Sequence, residues 1–224
     1  MVKPKQLKAV LVDIDGTLID SNEAHTRAWL AALKSHGHEF PFERVRALIG
    51  KGGDKLLAEL LGLDDASEKA KAISVERGRV LLTHELHSLA PTPGARDLLL
   101  KIKDVGLKVV VATSAQPNET QELLRQAGLD DLVDHEANSG DAKQSKPDPD
   151  IVQSALRKAG VRPSDAIMLG DTPYDVQAAA KSGVSTIILR CGGWWNDDAF
   201  AGAISIYDSP RDLLQSFESS SLNS

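Results

Sequence analysis

Apolar residues in this chain come in short β-branched blocks separated by longer amphipathic stretches. Residues 9–12 (Ala-Val-Leu-Val) form the first block and stop at Asp13, the pattern of a strand buried on both faces. Similar blocks predict strands at 108–112, 166–169 and 185–189. A further strand is expected at 133–137, and a weaker run at 204–207 reads as an edge strand. Helix starts lie between them. Pro93-Gly94 opens one and Pro117 another, while Asp148-Pro149 and Thr172-Pro173 each read as an N-cap followed by proline at the first helical position. Gly106, Gly128, Gly160 and Gly183 follow apolar-periodic stretches and read as helix stops. Strands alternating with helices imply parallel pairing and an α/β sheet covered on both faces.

One segment breaks this rhythm. Residues 18–89 show helical patterns at 24–33, 55–61 and 66–89 and no convincing strand. Roughly seventy residues is too long for a crossover and long enough for a small helical domain. The division expected is a core of residues 1–17 and 93–224 with a helical cap of residues 18–92. No internal repeat is visible, and the Ser-rich end at 216–224 is expected to be a frayed tail.

The 224 residues are 42% hydrophobic and 26% charged, ordinary globular composition with enough chain for a core without staples. Cys191 is the only cysteine, which excludes a disulfide within the chain and a cysteine zinc cage; it reads as an inert small hydrophobe. The balance of 26 basic against 32 acidic residues gives −6, the wrong sign for a nucleic-acid or anionic-membrane binder, though a small anionic substrate in a local pocket is compatible with it. No stretch approaches the ~20 apolar residues of a membrane helix. Residues 1–8 are basic like the start of a signal peptide, but the apolar run that follows is short and carries Asp13. A soluble, cytoplasmic protein is expected, a monomer or homodimer.

Ligands of a parallel α/β sheet sit beyond the carboxyl ends of its strands. Here those ends carry Asp13-Ile14-Asp15-Gly16-Thr17, Thr113-Ser114, Lys146-Pro147 after the 133–137 strand, and Gly170-Asp171-Thr172-Pro173-Tyr174-Asp175. Acids, hydroxyls and one lysine would converge on one crevice. Acids packed close in a partly dry cleft are costly unless a cation lies between them, and carboxylate oxygens select hard cations such as Mg2+.

These four motifs, in this order, resemble those of the haloacid dehalogenase superfamily, with the helical insertion where that superfamily's type-1 caps lie and a Rossmann-like core around it. Within it, the chain is similar to the phosphoglycolate phosphatase and β-phosphoglucomutase-like group. The resemblance implies that Asp13 attacks phosphorus to form an aspartyl-phosphate and that Asp15 protonates the leaving oxygen and then activates water. It implies that Thr113 and Ser114 hold phosphoryl oxygens and that Lys146 neutralises charge. Mg2+ would be bound by Asp13, the backbone carbonyl of Asp15 and Asp171. Asp175 would complete the shell directly or through water, or orient Lys146. An acid two residues after the nucleophile is absent from dehalogenase and phosphonatase relatives, so phosphate esters are the expected substrates. A small phosphorylated metabolite is hydrolysed on the leading reading, and a sugar phosphomutase is the alternative.

In the cap, the spacing of His25 and Trp29 from Asp13 resembles the β-phosphoglucomutase branch, where the matching histidine assists sugar binding and acid–base positioning. The bland reading is a packed helix face formed by residues four apart. Residues 49–55 (Ile-Gly-Lys-Gly-Gly-Asp-Lys) look like a specificity loop lowered over the site, or glycines that merely end and restart helices. Lys51 could meet a substrate anion. Arg77 and Arg79 are expected on a solvated helix face. His84-Glu85-Leu86-His87 is one residue short of a zinc-protease motif, and His36-Gly37-His38 reads as a loop. Trp194 and Trp195 are expected to pack or to meet a second copy rather than to react.

Overall fold

A computed structural model describes residues 7–223. Residues 1–6, including most of the basic start and the first part of the predicted core, lie outside the described residues, as does Ser224. The described strands are β1 (Ala9–Val12), β2 (Lys108–Ala112), β3 (His135–Ala137), β4 (Ala166–Gly170), β5 (Ser185–Leu189) and β6 (Ser205–Tyr207). All pair in parallel, in the order β3-β2-β1-β4-β5-β6. β1 is central and wholly buried, as its unbroken apolar run requires.

Helices α5 (Ala95–Asp104), α6 (Pro117–Gln126) and α9 (Pro210–Gln215) lie after residue 92, together with α7 (Asp150–Ala159) and α8 (Pro173–Lys181). Val10 and Val12 pack on one side of the sheet with Leu98, Leu99, Leu123 and Leu213 from α5, α6 and α9. Ala9 and Leu11 pack on the other with Ile151, Ala155, Ala178 and Ala179 from α7 and α8. Alternate side chains of one strand therefore feed two apolar layers.

Between β1 and α5 run α1 (Asn22–Ser35), α2 (Phe42–Arg46), α3 (Gly53–Leu61) and α4 (Glu68–Val80), then a π turn over Leu81–Glu85 and a 3-10 turn over Leu86–Ser88. Trp29, Leu33, Val45, Leu56, Leu57 and Ile73 form an apolar cluster of their own there. No described helix is long and apolar enough to cross a membrane.

Several sequence expectations need correction. The predicted strand at 133–137 is shorter, running from His135, and at Asp134 the Val109 N–H is taken by the carboxylate rather than by a backbone carbonyl. α7 starts at Asp150 rather than capping on Asp148, whose carboxylate instead faces Lys55 and Lys181. α2 carries no sequence signal, since five residues after Pro41 are too few to show a period. The Ser-rich end is not a frayed tail: Phe217 and Leu222 are buried, with 3-10 turns at Phe217–Ser219 and Ser221–Asn223. Two apolar anchors outweigh the serines around them. Arg77 is not on a solvated face but buried, while Arg79 is exposed as expected.

Candidate active site

The strand ends hold the predicted residues through backbone register. Asp13 N–H donates to Leu169 O at 2.9 Å and Thr113 N–H to Ala137 O at 3.0 Å, which locks β1 to β4 and β2 to β3 at the level where the side chains turn upward. Thr172 caps α8 reciprocally: its hydroxyl accepts from the Asp175 N–H, and its own N–H donates to Asp175 Oδ2 at 3.1 Å. The cap geometry fixes Asp175 one turn beyond Asp171.

Lys146 is 1% exposed, and its Nζ donates to Asp13 Oδ1 at 2.6 Å and Asp175 Oδ1 at 2.7 Å. Burial alone would lower the ammonium's pKa, but Asp13 and Asp175 outweigh it and raise it. Asp13 is raised well above the usual carboxylate range, by burial first and by the charges of Asp175, Asp171 and Asp15, with Lys146 opposing. Asp171 is pushed up to about 7 by burial and by Asp175, although Asn22 Nδ2 donates to it at 2.8 Å and Thr17 Oγ1 at 3.1 Å.

Asp13, Asp171 and Asp175 each offer an oxygen, all within 4.8 Å of one another, and all three residues are buried. Lys146 pairs with two of them, Asp13 and Asp175, while Asp171 has hydrogen bonds from neutral groups and only the nearby charge of Arg46 to offset its own. The donor set is all oxygen, so these residues fit a hard divalent cation. Both Asp175 oxygens are engaged, by Lys146 and by Thr172, which suits orientation of the lysine. Gly16 and Gly192 make room for Asp171: a Cβ would fall 2.2 Å and 1.9 Å from its Oδ2. The Cys191 thiol donates to Gly16 O at 3.2 Å and is pushed up to about 12 by burial and by Asp171, which keeps it inert.

Asp15 has the opposite character. Burial would raise its pKa, but the charge and hydrogen bond of His25, the Ser21 hydroxyl and Arg77 hold it below the usual range. His25 Nε2 lies 2.8 Å from Asp15 Oδ1, and Ser21 Oγ donates to the same oxygen at 2.5 Å. Trp29, four residues on, packs in the apolar cluster of the inserted helices.

A cavity of about 40 Å³ lies between Asp13, Asp15, His25, Thr113, Ser114 and Arg77, with residues 49–53 along one side. The Ser114 hydroxyl is buried without a hydrogen-bond partner. Lys51 lines this cavity, but its amine faces Glu59 at 2.5 Å and the Tyr174 ring at 4.9 Å. Beyond it, along the seam between the inserted helices and the sheet, a cavity of about 720 Å³ is lined by Arg77, Gln116, Glu119 and Ser145 among others.

Sequence reasoning missed the residues that join the two parts across this seam. Arg77 Nη1 donates to Glu119 Oε2 at 2.7 Å, with its guanidinium 5.0 Å from the centre of the Trp29 ring. Arg46 donates to Gly192 O and stacks on Trp194, and Tyr174 donates to Ala47 O at 2.7 Å. Trp195 packs edge-on against Tyr174. None of these partners is close in sequence, so no spacing could have announced them.

The sequence matches the haloacid dehalogenase-like hydrolase family over residues 7–183. It is 30% identical over 185 residues to a phosphorylated carbohydrates phosphatase of Thermotoga maritima, covering 81% of this chain and 84% of that protein. It is 30% identical over 213 residues to a phosphoglycolate phosphatase of Rhodospirillum rubrum, covering 90% and 87%. The fold superposes on the crystal structure of a hydrolase from Pseudomonas syringae with a TM-score of 0.88 at 28% identity, over 95% of this chain and 98% of that one.

Proposed function

Because this chain belongs to the haloacid dehalogenase-like hydrolase family, we propose that it hydrolyses the phosphate ester of a small phosphorylated metabolite, of the sugar-phosphate or phosphoglycolate type. The enzyme is a phosphoric monoester hydrolase, and the observation that carries the reading is the pairing of two acids with opposite surroundings. Asp13 lies against Lys146, while Asp15 lies against His25.

An Asp13 oxygen attacks phosphorus, the ester P–O bond breaks, and the leaving oxygen takes a proton from Asp15. The incoming phosphate's charge raises the Asp15 pKa and so loads that proton, with His25 as its hydrogen-bonded partner. Water then attacks the aspartyl-phosphate, giving its proton to Asp15, and inorganic phosphate leaves with Asp13 restored. Lys146, Thr113 and the unpartnered Ser114 hydroxyl hold the phosphoryl oxygens. Mg2+, held by Asp13, Asp171 and the backbone carbonyl of Asp15, would supply the remaining positive charge when bound. Asp175 orients Lys146. The inserted helices, taken as a cap over residues 18–92, exclude bulk water from a cavity on the scale of one phosphoryl group.

A phosphomutase would need cationic groups in the cap for a second phosphate. Arg77 faces Glu119, Lys51 faces Glu59 and Arg46 faces Gly192 O, an arrangement that favours the hydrolase.

The test is phosphate release from a panel of phosphomonoesters including β-glucose-1-phosphate and phosphoglycolate, with and without Mg2+, beside a coupled assay for glucose-6-phosphate. Mg2+-dependent phosphate release, reduced at least ~10⁴-fold in Asp13→Asn, is the expected result. Glucose-6-phosphate without free phosphate would overturn it in favour of the mutase.

A further inference from the structure

The loop that carries Lys146 has no helix or strand of its own between Ala142 and Pro149. From its own side of the seam it is held by a turn bond from the Asp148 N–H to Ser145 O at 3.0 Å and by the Asp150 carboxylate, which accepts from the Lys143 and Gln144 N–H groups at 3.1 Å. Lys181 Nζ also donates to Pro147 O at 2.8 Å. Further contacts come from the other side of the seam. Asp54, in the first turn of α3, accepts from the Ser145 hydroxyl with one carboxylate oxygen and from the Ser145 N–H at 3.3 Å with the other. Ser145 Oγ in turn accepts from the Gly52 N–H at 3.1 Å. Lys55 Nζ reaches Gln144 Oε1 at 2.5 Å and Asp148 Oδ2 at 2.8 Å. Residues 52, 54 and 55 thus grip residues 144, 145 and 148, on both sides of Lys146. The approach is close enough to need glycine: a Cβ at Gly52 would lie 2.3 Å from the Ser145 Cβ.

We propose that Asp54 is a positioning residue that acts on Lys146 through Ser145, so that docking of residues 52–55, the N-cap and first turn of α3, orders the lysine for phosphoryl transfer. This rests on the phosphatase reading. A carboxylate is a poor ligand for a phosphate ester, and both Asp54 oxygens are already taken by Ser145, so its role is not substrate binding. Lys146 follows Ser145 directly and must hold its Nζ between two carboxylates. A displacement of about 1 Å in such a group costs on the order of 10²-fold in rate. The docked turn therefore couples closure over the substrate to completion of the charge clamp.

The experiment compares the full-length protein with Asp54→Ala, Asp54→Asn, Ser145→Ala and the Asp54→Ala/Ser145→Ala double variant. Hydrogen exchange is followed in the 143–149 segment, and kcat and KM are measured on two phosphomonoesters of different size. Asp54→Ala should speed exchange there by about tenfold or more and lower kcat about 10- to 100-fold, by the same factor on both esters, with KM changed less than about threefold. Asp54→Asn, which keeps one acceptor, should fall between. Ser145→Ala should reproduce the loss, and the double variant should be no worse than either single one. Unchanged exchange in Asp54→Ala overturns the proposal. So do additive losses, and so does a loss that differs between the esters, which would make Asp54 a substrate contact. If the unaltered protein turns over no ester, the phosphatase reading fails instead, and the exchange comparison still decides whether the docked turn orders residue 146.

Discussion

His25 Nε2 stands 2.8 Å from Asp15 Oδ1, joining the first inserted helix to the residue two positions beyond Asp13. That contact keeps the Asp15 pKa low against burial, with Ser21 and Arg77 assisting. In His25→Gln the charge is lost, so the Asp15 pKa rises. The limb of the pH–rate profile governed by Asp15 should move to higher pH, and kcat should fall by about 10²-fold, the lower end of what a positioned acid–base group contributes. An unmoved profile would separate His25 from the proton transfer.

Asp171 links stability to pH and to metal. Its pKa of about 7 lies above the ordinary carboxylate value, so the metal-free protein pays nothing below pH 4, where the group is protonated folded or unfolded. As pH rises from about 4 to about 7 the unfolded chain ionises more readily, and stability falls. Mg2+ should relieve this, so the rise in Tm on adding Mg2+ should be larger at pH 8 than at pH 5.5. Equal shifts at the two pH values would argue against a cation at this cluster.

Gly192→Ala tests the same site sterically. The new Cβ would fall 1.9 Å from Asp171 Oδ2, so the carboxylate must swing away. Mg2+ affinity, read by calorimetry, should weaken by at least about tenfold. Unaltered affinity would mean that Asp171 is not a ligand.

Arg77 and Glu119 form a buried pair across the seam. Arg77→Met leaves Glu119 buried without its partner and should cost about 3–5 kcal/mol in urea unfolding, most of it recovered in Arg77→Met/Glu119→Gln. A double variant as unstable as the single one would show that packing on Trp29 matters more than charge.

Asp165 lies far from the site, and its acid behaviour is separable. Hydrogen bonds from Arg162, Ser164 and Lys8 hold its pKa at about 2. The stabilisation is complete above pH 4 and disappears as pH falls through about 2. The Tm gap between the native chain and Asp165→Asn should therefore close between pH 5 and pH 2, as measured by thermal melts. A constant gap would assign the effect to shape.

The chain by itself determined most of the strands and the order of the motifs, because β1 is an unbroken apolar run, β2 and β5 each carry an apolar block behind a polar start, and β1 and β2 lead directly to Asp13 and Thr113. Local chemistry was also legible: Thr172-Pro173 caps α8 as its residue types require. What lay outside its reach were the contacts between parts distant in sequence. Asp54 meets Ser145 across 91 positions and Arg46 meets Gly192 across 146, and neither pair leaves a period or a spacing to read. Burial of Arg77 was equally hidden, since an arginine in α4, two residues before the exposed Arg79, looks solvated until Glu119 arrives from α6. Covalent neighbours and helical or extended periods are properties of the chain, whereas the partner that makes a buried charge tolerable is supplied only when the two parts of the molecule close on each other.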